Sequence, residues 1–455
     1  MKEMISKYRR CFRLVGAVLV TYHLSFAASS AQSYPWSLRE CCDYAVEHNL
    51  QIRQQDNQRR QQEIQLSTAK NARLPELNGS LGQNFSFGRG LTAENTYTNT
   101  NTSSTSFQLG ASVPIFTGFQ IPNQIQLNQL NLEAVTQDLE KAKNDIRTQV
   151  AQAYVQILYD MEIADVAHRQ IEIDSMQVVR LEAFVRNGKA SEAELSQQRA
   201  TLANSRLTAT QADNNCRINI LTLTQLLELP SPEGFTIFRP SPESMPHLHE
   251  RIRELSPDLI YAEALGIKPE IRSQELRLQA TDRSIKIAQS ALYPQLSLSA
   301  GLGTNYYKTS GFTADNFGTQ LKNNFSQYIG LNLNIPIFNR FQTRNNIRNA
   351  RIEQETQQLQ LDNAKKTLYK EIQQVYYNAL NAQAKENSSL EAVQSSKDAF
   401  TLMQAKYENG KATITEFNEA KNNYLKAESD LVQARYESLY QHALLEFYRG
   451  NELDF

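Results

Sequence analysis

The sequence predicts a mainly α-helical fold with a transmembrane β part, assembled from a duplicated strand–helix repeat. Three observations lead there. The chain repeats itself at a near-constant offset. Each copy holds one helical stretch far longer than a globular domain accommodates. Each long stretch is also preceded by paired segments in which apolar residues alternate with small polar ones.

The long stretches define the duplication. V-P-I-F-T-G-F-Q starts at Val113, a helix-compatible run follows, and R-N-G-K (Arg186 to Lys189) ends it. The design returns 222 residues later, from I-P-I-F-N-R-F-Q at Ile335 to E-N-G-K (Glu408 to Lys411). Tyr154 falls on Tyr376 and Leu158 on Leu380, so the register holds through the run. A helix of about 70 residues measures roughly 105 Å at about 1.5 Å per residue.

In chain order, the N-terminus comes first. Lys2, Lys7, Arg9, Arg10 and Arg13 precede an apolar run, Leu14 to Leu24, and small residues lead to Ala31. This pattern is a signal peptide over residues 1–31. The mature chain is expected to divide into a first repeat (32–228), a proline-rich connector (229–269), and a second repeat with a C-terminal tail (270–455). Of the four cysteines, Cys11 leaves with the signal; Cys41, Cys42 and Cys216 read as packed thiols rather than a disulfide framework.

Ser37-x-x-Glu40 opens a helix that runs to about Arg73 and stops at Pro75. Its copy ends at Pro294, because N-A-R-L-P-E-L (71–77) matches S-A-L-Y-P-Q-L (290–296) at an offset of 219. Strands of about 10 residues are expected next. Leu77, Leu81, Phe85 and Phe87 alternate outward, and Phe107, Leu109, Ala111, Val113 and Ile115 return. The second copy gives Leu296, Leu298, Ala300 and Leu302, then Ile329, Leu331 and Leu333. Residues 93–105 and 309–324, rich in Asn, Thr, Ser and Gly, read as loops. Pro114 and Pro336 are expected to close a strand before each long helix, since proline lacks the N–H either ladder needs.

Each long helix ends at Asn-Gly (Asn187-Gly188, Asn409-Gly410), and a capping box follows, Ser191 to Glu194 or Thr413 to Glu416. The chain therefore turns back as an antiparallel hairpin. The incoming and return helices together match one long rod, so they can stack end to end along it. The stripe Ile146, Val150, Ala153, Tyr154, Ile157 and Leu158 is the face they would bury. The connector carries seven of the thirteen prolines, a short helix near 248–255, and His247-x-His249, which reads as solvated rather than metal-binding.

A formal charge of −1 gives no case for nucleic acid. No phosphate loop, ligand cluster or isolated carboxylate pair stands out, so no catalytic residue, metal or cofactor is assigned. Four strands cannot close in lipid, where each unpaired backbone group costs several kcal/mol. Association must close them: twofold gives eight strands, threefold twelve. Eight helical columns pack as a tight bundle and twelve enclose a hollow cylinder, which favours three.

The duplicated A-x-x-P-x-L helix ends, the P-I-F junctions, the x-N-G-K tips and the W-S-L-x-E-C-x-x-Y-A start (Trp36 to Ala45) together resemble the TolC-type outer-membrane efflux proteins, in a Bacteroidetes-like version. The resemblance implies a homotrimer with a 12-stranded β-barrel in the lipid of the outer membrane of a Gram-negative bacterium, continued by a long periplasmic α-helical barrel. It implies a passive exit duct for tripartite efflux or type I secretion. The partners would be a periplasmic membrane-fusion adaptor and an inner-membrane transporter of RND, ABC or MFS type. By position it assigns the periplasmic tip, gate and adaptor contact to Asn187, Gly188, Lys189, Glu194, Tyr407, Asn409, Gly410, Lys411 and Glu416. Pro75, Pro114, Pro294 and Pro336 mark the strand–helix junctions. A basic residue common in such proteins two positions after the second glycine is replaced by Ala412. The alternative is a secreted trimeric coiled-coil scaffold or a periplasmic adaptor.

Overall fold

The computed structural model describes residues 34–91, 95–240 and 256–453. The signal peptide, the expected helix at 248–255 and the His247-x-His249 pair lie outside them. Among the described residues the order is α1 (Leu38–His48), α2 (Leu50–Asn71), β1 (Glu76–Leu91), β2 (Tyr97–Phe116), α3 (Gln120–Arg186) and α4 (Glu192–Leu226). There follow α5 (Pro257–Ile267), α6 (Pro269–Ser290), β3 (Gln295–Thr309), α7 (Phe317–Asn323), β4 (Ser326–Asn334), α8 (Gln342–Glu408) and α9 (Ile414–Tyr448).

The two rods, α3 and α8, have 67 residues each, about 100 Å of helix. Pro122 falls in the first turn of α3, where no intrahelical N–H is needed. α2 and α4 pack along α3, while α6 and α9 pack along α8 and also touch α3. The half-length helices meet end to end. The Asn49 side-chain amide donates to the Leu226 carbonyl (3.0 Å), and the Leu50 N–H donates to Glu228 (3.3 Å). At the matching joint, Lys268 Nζ donates to the Phe447 carbonyl (3.4 Å) and lies over the Phe447 and Tyr448 rings.

The expected stripe is buried. Ile146, Val150, Tyr154, Ile157 and Leu158 join Leu38, Cys41, Cys42, Leu223 and Leu227 in one core at mid-rod. The connector is strapped to it: Trp36 bridges Ile237 in parallel, and the Tyr154 hydroxyl contacts the carbonyls of Phe238 (2.6 Å) and Trp36 (3.1 Å). Cys41, Cys42 and Cys216 are not joined to one another by disulfides, and the Cys42 thiol donates to the Arg147 carbonyl (3.8 Å). Burial pushes the Cys41 thiol up to about 12.

Several sequence expectations are corrected. The incoming helix is not continuous: it breaks at Asn49, whose extended backbone lets its side chain cap α2 through the Gln51 N–H (2.9 Å). The second copy breaks at Lys268, 219 residues on, because Pro269 must start a new helix. The span read as connector to 269 contains α5, which buries Ile260 and Ala264 against α8. The strands have 16, 20, 15 and 9 residues, so part of the expected 93–105 loop is strand. The 309–324 loop holds α7.

The sheet is antiparallel in the order β1-β2-β3-β4. Pro336 follows the end of β4, as expected, but Pro114 lies inside β2. β1 pairs no further than Ser112, and a register shift separates Pro114 from Phe116. The proline thus sits where β2 has already lost a neighbour on one side.

Both strand-to-rod junctions turn through two consecutive left-handed residues, Gly118-Phe119 and Arg340-Phe341. Edge-to-face ring pairs hold the strained phenylalanines: Phe116 with Phe119 (5.2 Å) and Phe338 with Phe341 (5.5 Å). The copies differ in room. A Cβ at Gly118 would strike the Ser290 carbonyl and lie 2.9 Å from Tyr293 Cβ, whereas Arg340 carries a side chain at φ 53°. Gly118→Ala is therefore expected to lower the yield of the heat-modifiable form in unboiled gels severalfold. Arg340→Gly should leave it unchanged, and equal yields from the two variants would contradict the junction geometry.

Candidate functional site

The first candidate region is the pair of hairpin tips. At the first, the Asn187 side chain donates to the Ala183 carbonyl (2.7 Å), Gly188 adopts φ +70°, and the Lys189 N–H returns to the Phe184 carbonyl (2.8 Å). The second repeats this with Asn409 to Ala405 (2.7 Å), Gly410 at φ +70°, and Lys411 to Lys406 (2.9 Å). Nothing lies within 4 Å of a Cβ placed on either glycine, so backbone conformation rather than space requires glycine there.

Both capping boxes form. The Ser191 N–H donates to Glu194 (2.8 Å) and the Glu194 N–H to Ser191 Oγ (3.2 Å). Thr413 and Glu416 reciprocate at 2.7 and 3.3 Å. The Thr413 backbone N–H and hydroxyl hold the Glu416 carboxyl below its usual range. Both acids are thus occupied in starting the return helices.

Arg180, which no motif singled out, joins the two tips. Arg180 on α3 lies over the Phe184 and Tyr407 rings, 5.5 Å from each centroid, and reaches Glu408 (3.6 Å). Tyr407 stacks on Phe417 (5.0 Å). Burial raises the Tyr407 hydroxyl's pKa, Arg180 opposes this, and Glu194 adds to it. Ile414 inserts among Val178, Leu181, Leu195 and Leu202 of the other hairpin.

About four helical turns from the first tip, Asp174 on α3 and Lys421 on α9 form an ion pair with both side chains fully buried. The carboxylate also accepts from Gln198 (3.2 Å) and Ser205 (2.5 Å) on α4 and from Gln170 (2.6 Å). Asn418 on α9 donates to Gln198 (3.2 Å). The cluster therefore ties the first hairpin to the second. It left a trace in the sequence: Asp174 continues the spacing of Ala167, Ile171, Val178 and Leu181, and Lys421 that of Phe417 and Leu425. An ionisable residue within an apolar stripe is that trace.

The second candidate region is the sheet. One face presents Leu77, Leu81, Leu109, Leu302, Ile329, Leu331 and Leu333, all exposed. The other presents Ser80, Gly82, Ser106, Gln108, Gly110, Ser299, Gly301 and Asn332. Lipid suits the first face and water the second. Tyr307 and Tyr328 are large exceptions on the small-residue face, and the Tyr328 ring lies over Gly301, where a Cβ would come 2.8 Å from Tyr328 Cζ. Pro75 and Pro294 precede β1 and β3 at the opposite end of the rods from the tips. The structure thus separates the junction prolines from the tip residues along the whole length of α3 and α8. Among the described residues no helix is long and apolar enough to cross a membrane, and no group of three or more His, Cys, Asp or Glu side chains could hold a metal.

The model of the family described as outer membrane efflux protein matches residues 42–228 and 260–451, once for each repeat. The chain is similar to the outer membrane efflux protein BepC of Brucella suis, 23% identical over 434 residues, covering 94% of this chain and 88% of that protein. It is also similar to the pyoverdine export outer membrane protein OpmQ of Pseudomonas aeruginosa. That match is 28% identical over 276 residues, covering 58% of this chain and 54% of that protein. Among solved structures, the outer membrane protein VceC of Vibrio cholerae superposes with a TM-score of 0.73 at 18% identity, covering 91% of this chain and 96% of that one.

The buried pair yields a prediction. Lys421→Met leaves the Asp174 carboxylate buried without its cation and should cost about 3–5 kcal/mol. Adding Asp174→Asn removes the stranded charge while keeping an acceptor for Gln198 and Ser205, and should recover part of the loss. Thermal unfolding of the detergent-extracted protein measures both, and a double variant less stable than Lys421→Met would contradict the account.

Proposed function

This chain belongs to the outer membrane efflux protein family, and from that premise we propose that three copies form the exit duct of a tripartite export system. The protein is an outer-membrane efflux channel component with a large periplasmic helical part. The duct reading adds three things to this: trimeric closure, a gate at the hairpin tips, and a periplasmic adaptor that joins the tips to an inner-membrane transporter.

The observation that carries closure is a set of contacts present once per chain where the duplication calls for two. α6 packs on both α3 and α8, and its repeat mate α2 packs on α3 but not on α8. α9 packs on α3, and its mate α4 has no such contact with α8. β2 pairs with β3, while their mates β4 and β1 are the open edges of the sheet. Each missing contact is supplied if β1, α2 and α4 of one copy meet β4 and α8 of the next. That is a head-to-tail interface, which closes as a ring. Three four-stranded sheets make twelve strands, with each β4 edge meeting a β1 edge.

Side chains support the same reading. Tyr440 and Ala443 on α9 belong to the mid-rod core, while their mates on α4, Ile218 and Leu221, are 59% and 42% exposed. Apolar residues in these positions need cover, and α8 of the next copy offers it.

At the far end, Asn187, Gly188, Lys189, Asn409, Gly410 and Lys411 form the adaptor-facing turns of this duct. Glu194, Tyr407 and Glu416 lie just inside them. The tip joint made by Arg180, Tyr407 and Glu408 links the two hairpins of one chain, so movement of one tip is felt by the other. Cargo is expected to follow the small-residue face of the sheet outward, past Tyr328 and Tyr307. Substrates such as pyoverdine belong to the relatives that carry those names.

The direct test is the mass of the unboiled, detergent-extracted protein. A species near three times the 51.8 kDa chain, less the signal segment, is expected, and a monomer would overturn the duct. Ile218→Glu with Leu221→Glu should shift that species to monomer without unfolding the helices, as read by circular dichroism. Gly410→Pro cannot adopt φ +70°. It should therefore abolish export, scored as drug and detergent susceptibility of a strain lacking the wild-type copy, while the trimer still inserts. Normal resistance with that variant would remove the tip assignment.

A further inference from the structure

β4 is the short strand of the sheet: its pairing with β3 stops at Ser326 opposite Gly303, while β3 continues to Thr309. The upper part of β3 thus loses its ladder partner on one side. α7 fills that place. The Tyr307 N–H donates to Gln320 Oε1 (3.0 Å), and Gln320 Nε2 donates back to the Tyr307 carbonyl (2.9 Å), so one buried side-chain amide mimics a strand residue. Asn324 donates to the Asn305 carbonyl (2.8 Å), the next outward-pointing acceptor along the same edge. Thr304 Oγ donates to the Leu321 carbonyl (2.7 Å), and Phe317 packs edge-on against Tyr306 (5.3 Å). Three parts of α7 and its C-terminal cap are therefore committed to β3. Thr319, Lys322 and Asn323 face outward, exposed.

The duplication indicates what lies opposite. Within the chain, Ser104 pairs with Tyr307, and the Ser310 N–H donates to the Asn101 carbonyl (2.8 Å). Carried by the repeat offsets of 222 and 219, these contacts become Ser326 against Gly88 and Asn323 against Leu91 of the neighbouring copy. Arg89, Gly90 and Leu91 of β1 extend above that level, and their in-chain partners on β2 cover only one edge. We infer that α7 replaces the missing upper half of β4. One side closes the edge of β3, and the other seats the upper end of β1 from the next copy, so a helix rather than a strand seals the rim at each subunit seam. The inference rests on the ring closure proposed above.

The test is disulfide trapping in outer-membrane fractions of the full chain. Asn323→Cys with Leu91→Cys probes the helical seat. Leu331→Cys with Gln83→Cys, carried by the same offsets from the Leu109–Leu302 pair, probes the strand seam below it. Each pair is oxidised with copper phenanthroline, with single-cysteine variants as controls. Cross-linked dimers and trimers from both pairs are expected on non-reducing gels. Linkage of the strand pair alone overturns the seat while leaving the duct intact, and failure of both pairs overturns the seam itself. Adding Gln320→Leu, which cannot bond Tyr307, should cut linkage of the Asn323–Leu91 pair several-fold and spare the strand pair. Undiminished linkage would show that Gln320 does not hold α7 in place.

Discussion

Backbone hydrogen bonding in a sheet with one apolar face is the constraint on which the rest of this molecule depends. Four strands carry Leu, Ile and Phe on one side, and their outer edges belong to β1 and β4. In lipid those edges must find partners, since unpaired N–H and C=O groups cost several kcal/mol each there. The chain answers locally with Gln320, whose amide takes the ladder position beside Tyr307. Elsewhere the proposed ring of copies would close the edges of β1 and β4. In such a ring the rods would continue the closed sheet, standing side by side around the same axis.

The two repeats show how one architecture tolerates different chemistry. At the end-to-end joint, the first copy places Asn49 and Glu228 at the start of α2, a carboxylate at the positive end of a helix. The second uses Lys268, with Pro269 removing an N–H that would need an acceptor, and Gly450 in place of Glu228. Lys268 then carries a buried ammonium, its pKa lowered by desolvation, against two aromatic faces and one carbonyl. Between rods, Arg277 and Ser273 on α6 bind Asp138 on α3. The corresponding positions on α2 and α8 are Gln54, Gln58 and Gln360, so the interface within a chain is charged where its counterpart is amide-rich.

The Asp174–Lys421 pair belongs to the same logic. Two buried charges are costly to desolvate, and apolar residues of similar size often stabilise as well or better. What the pair provides is register. Its carboxylate accepts from four side chains on three helices, and a slip of one residue would strand a charge. The small-residue cluster Ala164, Ala167, Ala209 and Ala212 adjoins it on one side and the Val178–Leu181 cluster on the other. Neither distinguishes one register from the next so sharply.

Much of this was legible in the sequence because it rests on local rules. The rods, the Asn-Gly tips, the capping boxes and the alternating strands each depend on residues within a few positions, and the duplication shows each twice. The buried stripe from Ile146 to Leu158 followed from helical period alone. Local rules failed where a distant partner decided. Asn49 breaks the incoming helix because Leu226 and Glu228 receive it there. Pro114 stays within a strand because β1 has ended beside it. Residues 317–323 form a helix because Gln320 and Asn324 satisfy an edge that β4 leaves open. Arg180 reaches Tyr407 across more than 200 residues of chain. Period and capping are properties of neighbouring residues and can be read from their order. Partners separated by a full repeat are chosen by how the rods and strands pack, and only the tertiary structure contains that choice.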